Sequence, residues 1–291
     1  MNILITGAGG FIESHIYNYL KDKYSFTRIF SSNHLSAGKQ CHFVDLTEIT
    51  KVETLAQNLS NANIEAVIHL ASRMASPDNI GDISIFKDNI NITENMGFLI
   101  KKLRPQLLIH FSSMAVYPNV SGCYSEKSLP MPQKNNDCLY GLSKFSSEVI
   151  FDYILKNEDM QIVHLRLAQV YGEGMRQDRI IPVMKKELER ENIITVYGNG
   201  KRESNFIEVS KLVKYIEYFF HHDISGIYNL GDQNLSYYEE RIPMTRSPKS
   251  YQHYFFRCIH YSFRLLTNSI MLPLIPVAVF KAIPIIPIPD S

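Results

Sequence analysis

The chain has 291 residues, 45% of them hydrophobic, and a formal charge of +1. That is enough apolar material for a buried core, while the near-zero charge gives no general attraction to nucleic acid or acidic membranes. Four cysteines, Cys41, Cys123, Cys138 and Cys258, lack any CxxC or Cys/His ligand spacing, which predicts reduced thiols in a cytoplasmic protein and no metal site.

In chain order, short β-branched runs alternate with longer helical patterns. Strands are predicted at Ile3–Thr6, Thr27–Phe30, His42–Val44, Ala66–Leu70, Leu107–Phe111 and Ile162–Leu165. Helices are predicted between them at Phe11–Leu20, Thr50–Asn58, Ser84–Leu103 and Leu139–Leu155. This alternation predicts an α/β, doubly wound Rossmann-type parallel sheet over 1–168, with ligands beyond the carboxyl ends of its strands. A smaller C-terminal substrate lobe is expected over 169–240. It has a helix near Ile181–Arg190, strand pieces at Ile194–Tyr197 and Asn205–Ile207, and a helix at Ser210–His221. Residues 241–291 form an atypical basic, Pro-rich apolar tail without a clear period. Its most apolar stretch, Leu265 to Ile283, contains Asn268, Lys281 and the helix-breaking Pro273 and Pro276, which argues against a membrane span. Met1-Asn2-Ile3-Leu4-Ile5-Thr6 has neither a basic segment nor a cleavage site, so it does not read as a signal peptide.

The first chemical signal is Gly7-Ala8-Gly9-Gly10 between a strand and a helix start. Glycines let the backbone approach a pyrophosphate closely, and the first free helix N–H groups with the helix dipole hold its charge. A second is Tyr140-Gly141-Leu142-Ser143-Lys144, a YxxxK whose spacing puts both side chains on one helix face. A phenol that serves as acid or base near neutral pH must be shifted from about 10, and a neighbouring ammonium favours the phenolate. A third is Ser112-Ser113 at the end of a strand.

Together these segments resemble the extended short-chain dehydrogenase/reductase family, of the NAD-dependent epimerase/dehydratase kind that acts on nucleotide sugars. Gly7-Ala8-Gly9-Gly10-Phe11-Ile12-Glu13 resembles GxxGFIG, Asp45-Leu46 its adenine-contacting pair, His69-Leu70-Ala71 its HLAA turn, and Asn89-Ile90-Asn91-Ile92-Thr93-Glu94-Asn95 its NVxGTxN. Phe111-Ser112-Ser113-Met114-Ala115-Val116-Tyr117 resembles FxSSxxVYG, and Leu165-Arg166-Leu167-Ala168-Gln169-Val170-Tyr171-Gly172 resembles LRxxNVYG. The resemblance implies a Ser113, Tyr140, Lys144 triad. It also implies a nicotinamide cofactor held by Gly7, Gly10, Phe11, Ile12, Asp45, Leu46, Leu70, Ala71, Asn89, Tyr140 and Lys144.

The departures carry their own expectations. Glu13 replaces the third glycine and is expected to crowd the helix against its strand and to put negative charge near the pyrophosphate. Ser31-Ser32-Asn33-His34 lacks the acid that would select NAD, and Lys39 is close by, which tilts the choice between NAD and NADP slightly toward NADP. Ser113-Met114-Ala115 lacks the acid and base of a 4,6-dehydratase. Gln169 stands for the substrate-binding Asn, and Ser204 for the diphosphate-binding Arg, whose charge Lys201 or Arg202 is expected to supply. The implied function is a nucleotide-sugar epimerase or reductase, homodimeric through Ser84–Leu103 and Leu139–Leu155. The alternative is a catalytically impaired NAD(P)-binding protein of the same fold.

Overall fold

The computed structural model describes residues 1–31, 40–76, 78–120, 122–191, 203–236 and 280–282. The strands β1 (Asn2–Thr6), β2 (Ser25–Phe30), β3 (Cys41–Phe43), β4 (Ala66–His69), β5 (Leu107–Ser113), β7 (Gln161–Leu167) and β10 (Gly226–Leu230) form one sheet. Its order is β10-β7-β5-β4-β1-β2-β3, and every pairing is parallel. The helices α1 (Phe11–Leu20), α2 (Ile49–Asn58), α3 (Ser84–Leu103), α4 (Cys138–Ile154) and α6 (Val209–Phe219) provide the crossovers and cover the two faces. A sheet covered on both sides needs strands that are apolar on both sides, and β1, β4 and β5 are almost continuously buried. Alternate residues then separate: Ile3 and Ile5 pack with Ile16, Leu20, Leu212 and Ile216 on the α1/α6 face, while Leu4 and Val67 pack with Val52, Met96, Leu99 and Phe151 on the other.

Strand order reverses between β1 and β4, and a crevice opens at such a point beyond the carboxyl ends. The second lobe caps this crevice. In it β8 (Gln169–Tyr171) pairs in parallel with β9 (Glu203–Glu208), β11 (Gln233–Ser236) pairs antiparallel with β9, and α5 (Ile180–Glu191) begins beside them. The chain then returns to the main sheet, as β10 pairs with β7.

Most predicted elements are present with bounds within two residues. The strand piece expected at Ile194–Tyr197 lies outside the described residues, as does most of the tail. One tail segment departs from the expectation of no regular structure: β12 (Phe280–Ala282) pairs antiparallel with β6 (Gly122–Tyr124). Among the described residues no helix is long and apolar enough to cross a membrane.

Candidate active site

At the carboxyl end of β1 the chain turns through Gly7, with φ +76, into α1. A side chain here would be strained, and a Cβ would also meet the Ala71 amide nitrogen at 3.1 Å. The turn thus lies directly against the loop after β4. Thr6 fastens the two together: its hydroxyl oxygen accepts from the Ala71 N–H at 3.1 Å and lies 2.8 Å from His69 Nδ1. Burial, helped by the Lys144 charge, pushes His69 down to about 3, so it is a neutral core imidazole.

Gly7, Gly10, Phe11 and Ile12 line one end of a cleft of about 1100 Å³, together with Asp45, Leu46, Leu70 and Ala71. The Asp45 carboxylate accepts from the Thr47 hydroxyl at 2.7 Å and its N–H at 2.9 Å, which holds it below the usual carboxylate range. The Leu46 carbonyl accepts from Asn95 Nδ2 at 2.8 Å, so this corner is pinned to α3.

Ser113, Tyr140 and Lys144 line the middle of the same cleft. Ser113 ends β5, where its Oγ accepts from the Ala115 N–H at 3.1 Å and caps the turn. Tyr140 and Lys144 are one turn apart on α4, both buried. The helix reaches this position because residue 141 is glycine: a Cβ there would lie 2.2 Å from the Ala115 carbonyl oxygen, so no larger residue lets α4 approach so closely.

Burial lifts the Tyr140 phenol to about 12; hydrogen bonding to Ser72 and then Ser113 opposes this, as does the Arg179 charge, while Asp137 adds to it. Burial also pulls Lys144 down to about 8, against the attraction of Glu148. Lys144 Nζ donates to the Phe111 carbonyl at 2.8 Å and lies 5.8 Å from the centre of the Tyr140 ring. Burial thus outweighs the downward shift expected for the phenol. The ammonium is held at the β5 backbone, and Ser72 and Ser113 are the neighbouring hydroxyls that work against the rise.

The rotation of α4 is set by a buried network further along the same face. Glu148 accepts from Arg166 Nε at 3.0 Å and Nη2 at 2.7 Å, and also from the Ser112 hydroxyl. Arg166 Nη1 donates to the Tyr117 hydroxyl at 2.8 Å, and that hydroxyl donates to Asn229 Oδ1 at 2.8 Å. The network joins α4 to β5, β7 and β10, while Thr93 with Ser147 and Asn89 with Ser143 join it to α3.

The other end of the cleft is lined by the second lobe: Gln169, Val170, Arg176, Arg179 and Ile180, with Glu203, Ser204 and Asn205 of β9. Gln169, Arg176 and Arg179 are exposed, and Ser204 and Asn205 are buried.

A family model described as the NAD dependent epimerase/dehydratase family matches residues 3–231. The chain belongs to this family. Among curated relatives, the dTDP-4-dehydro-6-deoxyglucose reductase of Escherichia coli is 28% identical over 64% of this chain and 60% of its own length. The UDP-glucose 4-epimerase of Mycoplasma genitalium is 28% identical over 58% of this chain and 53% of its own. The chain thus spans about half to three fifths of these relatives. Among solved structures, a UDP-glucuronic acid 4-epimerase from Bacillus cereus, in complex with UDP-glucuronic acid and NAD, superposes with a TM-score of 0.69 at 25% identity, covering 82% of this chain and 81% of that one. MoeE5 in complex with UDP-glucuronic acid and NAD gives 0.71 at 24%, covering 82% and 79%.

For a member of the NAD dependent epimerase/dehydratase family, the surroundings of two positions add to the sequence reading. Asn89 is absent from the cleft wall: its Oδ1 accepts from the Arg73 N–H at 2.7 Å, and its Nδ2 donates to the Arg73 carbonyl and to Ser143 Oγ, both at 3.0 Å. It braces the loop after β4. Glu13 does not crowd α1 against β1 as an unpaired charge, because its buried carboxylate turns sideways and pairs with Arg28 of β2 at 2.7 Å. With the charge paired, Glu13 no longer argues for a catalytically impaired chain. Lys201 and Arg202 lie outside the described residues. Arg28, Ser72 and Arg179 escaped the sequence reading. Only Ser72 carried a local signal, as the fourth letter of the HLAA-like turn.

Proposed function

We propose that this chain is a nicotinamide-dependent epimerase or reductase that acts on a nucleotide sugar. The observation that carries this reading is the continuity of the cleft, which runs from the Gly7–Gly10 turn past Ser113, Tyr140 and Lys144 to Gln169 and Ser204. The residues present suit a dinucleotide. The left-handed Gly7 turn opens a helix N-terminus into the cleft, where Gly7, Gly10, Phe11 and Ile12 hold the pyrophosphate. Asp45 and Leu46 take the adenine, and Leu70, Ala71 and Lys144 take the nicotinamide half. When bound, the nicotinamide supplies the hydride acceptor and donor.

The protein's own part is proton exchange and positioning. Tyr140 is the group that trades a proton with the sugar hydroxyl. Its high pKa keeps it a proton donor at neutral pH, the form that reduction of a keto sugar uses. Oxidation uses the phenolate, which hydrogen bonds from Ser72 and Ser113 and the charge of Arg179 favour. Ser113 holds the reacting oxygen against Tyr140, and Lys144 fixes the ribose beside it. Met114 and Ala115 line the cleft where a 4,6-dehydratase would carry its acid and base, which argues against that reaction. Gln169 reaches the nucleotide diphosphate, with Lys201 or Arg202 supplying charge.

The cofactor reading includes a modest NADP preference, because Ser31 lines the cleft where an acid would repel a 2′-phosphate. The solved relatives bind NAD. A homodimer through α3 and α4 is part of the same proposal, supported by Val149 and Tyr153, 52% and 69% exposed on α4. The test is a fluorescence titration with NADH and NADPH, followed by a thermal-shift panel of UDP- and dTDP-sugars and assay of the best binder. Absence of binding by both cofactors at millimolar concentration rejects the reading.

A further inference from the structure

A carboxylate on the wall of a pyrophosphate site repels the ligand unless something cancels its charge. Glu13 is such a group, lining the cleft with a side chain that is fully buried. Both of its oxygens are engaged. Oε1 accepts from Arg28 Nε at 2.7 Å; Oε2 accepts from Arg28 Nη2 at 2.9 Å and from the Gly9 N–H at 2.9 Å. A two-point pair of this kind fixes the orientation of both groups as well as their charge.

Arg28 is itself held firmly. It stands within β2 opposite Ile5, and its guanidinium lies 4.1 Å from the centre of the Tyr17 ring and 5.0 Å from that of Phe30. Tyr17 follows Glu13 by one turn of α1, so ring and carboxylate share a face and grip the same cation. One strand, one helix and the glycine turn thus meet at a single buried ion pair.

Building on the dinucleotide reading above, we propose that Arg28 is a cofactor-positioning residue that acts through Glu13. The pair takes the place of the family's third glycine. It ties down the Gly9 N–H, so it sets the shape of the turn, and it withholds a negative charge from the pyrophosphate. The two positions are therefore coupled with a definite sign. Removing Arg28 alone exposes the pyrophosphate to an unpaired carboxylate, whereas neutralising Glu13 as well removes the repulsion.

The test is calorimetric titration of the full chain with NAD, ADP-ribose and adenosine. It compares the unmodified protein with Arg28→Met, Glu13→Gln and Glu13→Gln/Arg28→Met, and takes thermal midpoints alongside. Methionine keeps an apolar stem over Tyr17. Arg28→Met is expected to weaken NAD and ADP-ribose at least about ten-fold but adenosine, which has no pyrophosphate, less than about two-fold. The double variant is expected to recover NAD affinity to within about three-fold of the unmodified chain. Two results overturn the proposal: NAD binding by Arg28→Met within about two-fold of the unmodified chain, or a double variant as weak as the single one. Should Arg28→Met fail to fold, the double variant decides, since tight binding supports the coupling and lost binding rejects it. An unmodified chain that binds neither NAD nor NADP gives a different pattern, which removes the dinucleotide reading and this proposal with it.

Discussion

The two walls of the cleft are built by different physics. On the sheet side, Lys144 in the wall and Thr6, Asn89 and Glu148 behind it are buried and bonded to neighbouring strands and helices, so each side chain has one place to go. On the lobe side, Gln169, Arg176 and Arg179 are exposed at the ends of short elements. A wall of buried polar groups tolerates little change, because every lost partner leaves a desolvated atom behind. A wall of exposed groups can be altered piece by piece. The first suits an invariant cofactor and reaction, the second a choice of substrate.

The contrast is sharpest at Tyr140. Replacing it with Phe is expected to lower kcat by at least about 100-fold while NAD affinity stays within about two-fold, since the ring remains and only the proton-exchanging hydroxyl is lost. Steady-state rates on the substrate found by thermal shift, together with calorimetry, check this. A variant with more than a tenth of the original kcat would break the assignment of Tyr140 as the proton-exchanging group.

Arg166→Met probes the support behind that wall. It leaves Glu148 buried without its cation and should cost about 3–5 kcal/mol in urea unfolding. Adding Glu148→Gln should return part of this. A loss under about 1 kcal/mol would mean that the network is not what orients α4.

Much of the sheet side was legible in the sequence because its constraints are local. Phe11–Leu20 and Ser84–Leu103 have the predicted bounds, and Ser113, Tyr140 and Lys144 line one cleft because strand ends and a helix turn put them there. β5 runs past its predicted end at Phe111 through Ser112 and Ser113, polar residues whose pairing partners on β7, Arg166 and Leu167, lie far along the chain. The tolerance for Glu13 was illegible for the same reason: Glu13 is on α1 and its partner Arg28 is on β2, 15 residues away. Asn89 is singled out in the sequence because its neighbours fit a motif, whereas the bonds of its amide to Arg73 and Ser143 are revealed only by the packing of α3 on α4.

Titration should separate the walls by stability as well. Lys144 sits at about 8 in the fold against 10.5 for a free lysine, so between these values the unfolded chain carries the extra proton. Stability therefore rises with pH from about 8 upward, at up to about 1.4 kcal/mol per pH unit. Tyr140 acts in the opposite sense above 10, where the unfolded phenol ionises and the folded one, at about 12, does not. Urea midpoints at pH 7, 8, 9 and 9.5 should rise for the natural chain relative to Lys144→Met. Parallel curves would mean that Lys144 is solvated in the fold.

The smallest effects belong to the lobe side. Gln169 is exposed at the start of β8, so Gln169→Ala leaves no buried atom stranded and should not measurably shift the thermal midpoint. Its amide is proposed to touch only the nucleotide diphosphate, a part of the substrate that does not change during the reaction. An interaction equal in ground and transition states sets KM and leaves kcat alone. Gln169→Ala should accordingly raise KM about five-fold, near the value of one exposed hydrogen bond, with kcat unchanged. Gln169→Asn, which shortens the arm but keeps the amide, should stay within about two-fold of the original KM. If kcat falls as far as KM rises, Gln169 helps to align the reacting carbon, and the division of labour between the two walls fails at that residue.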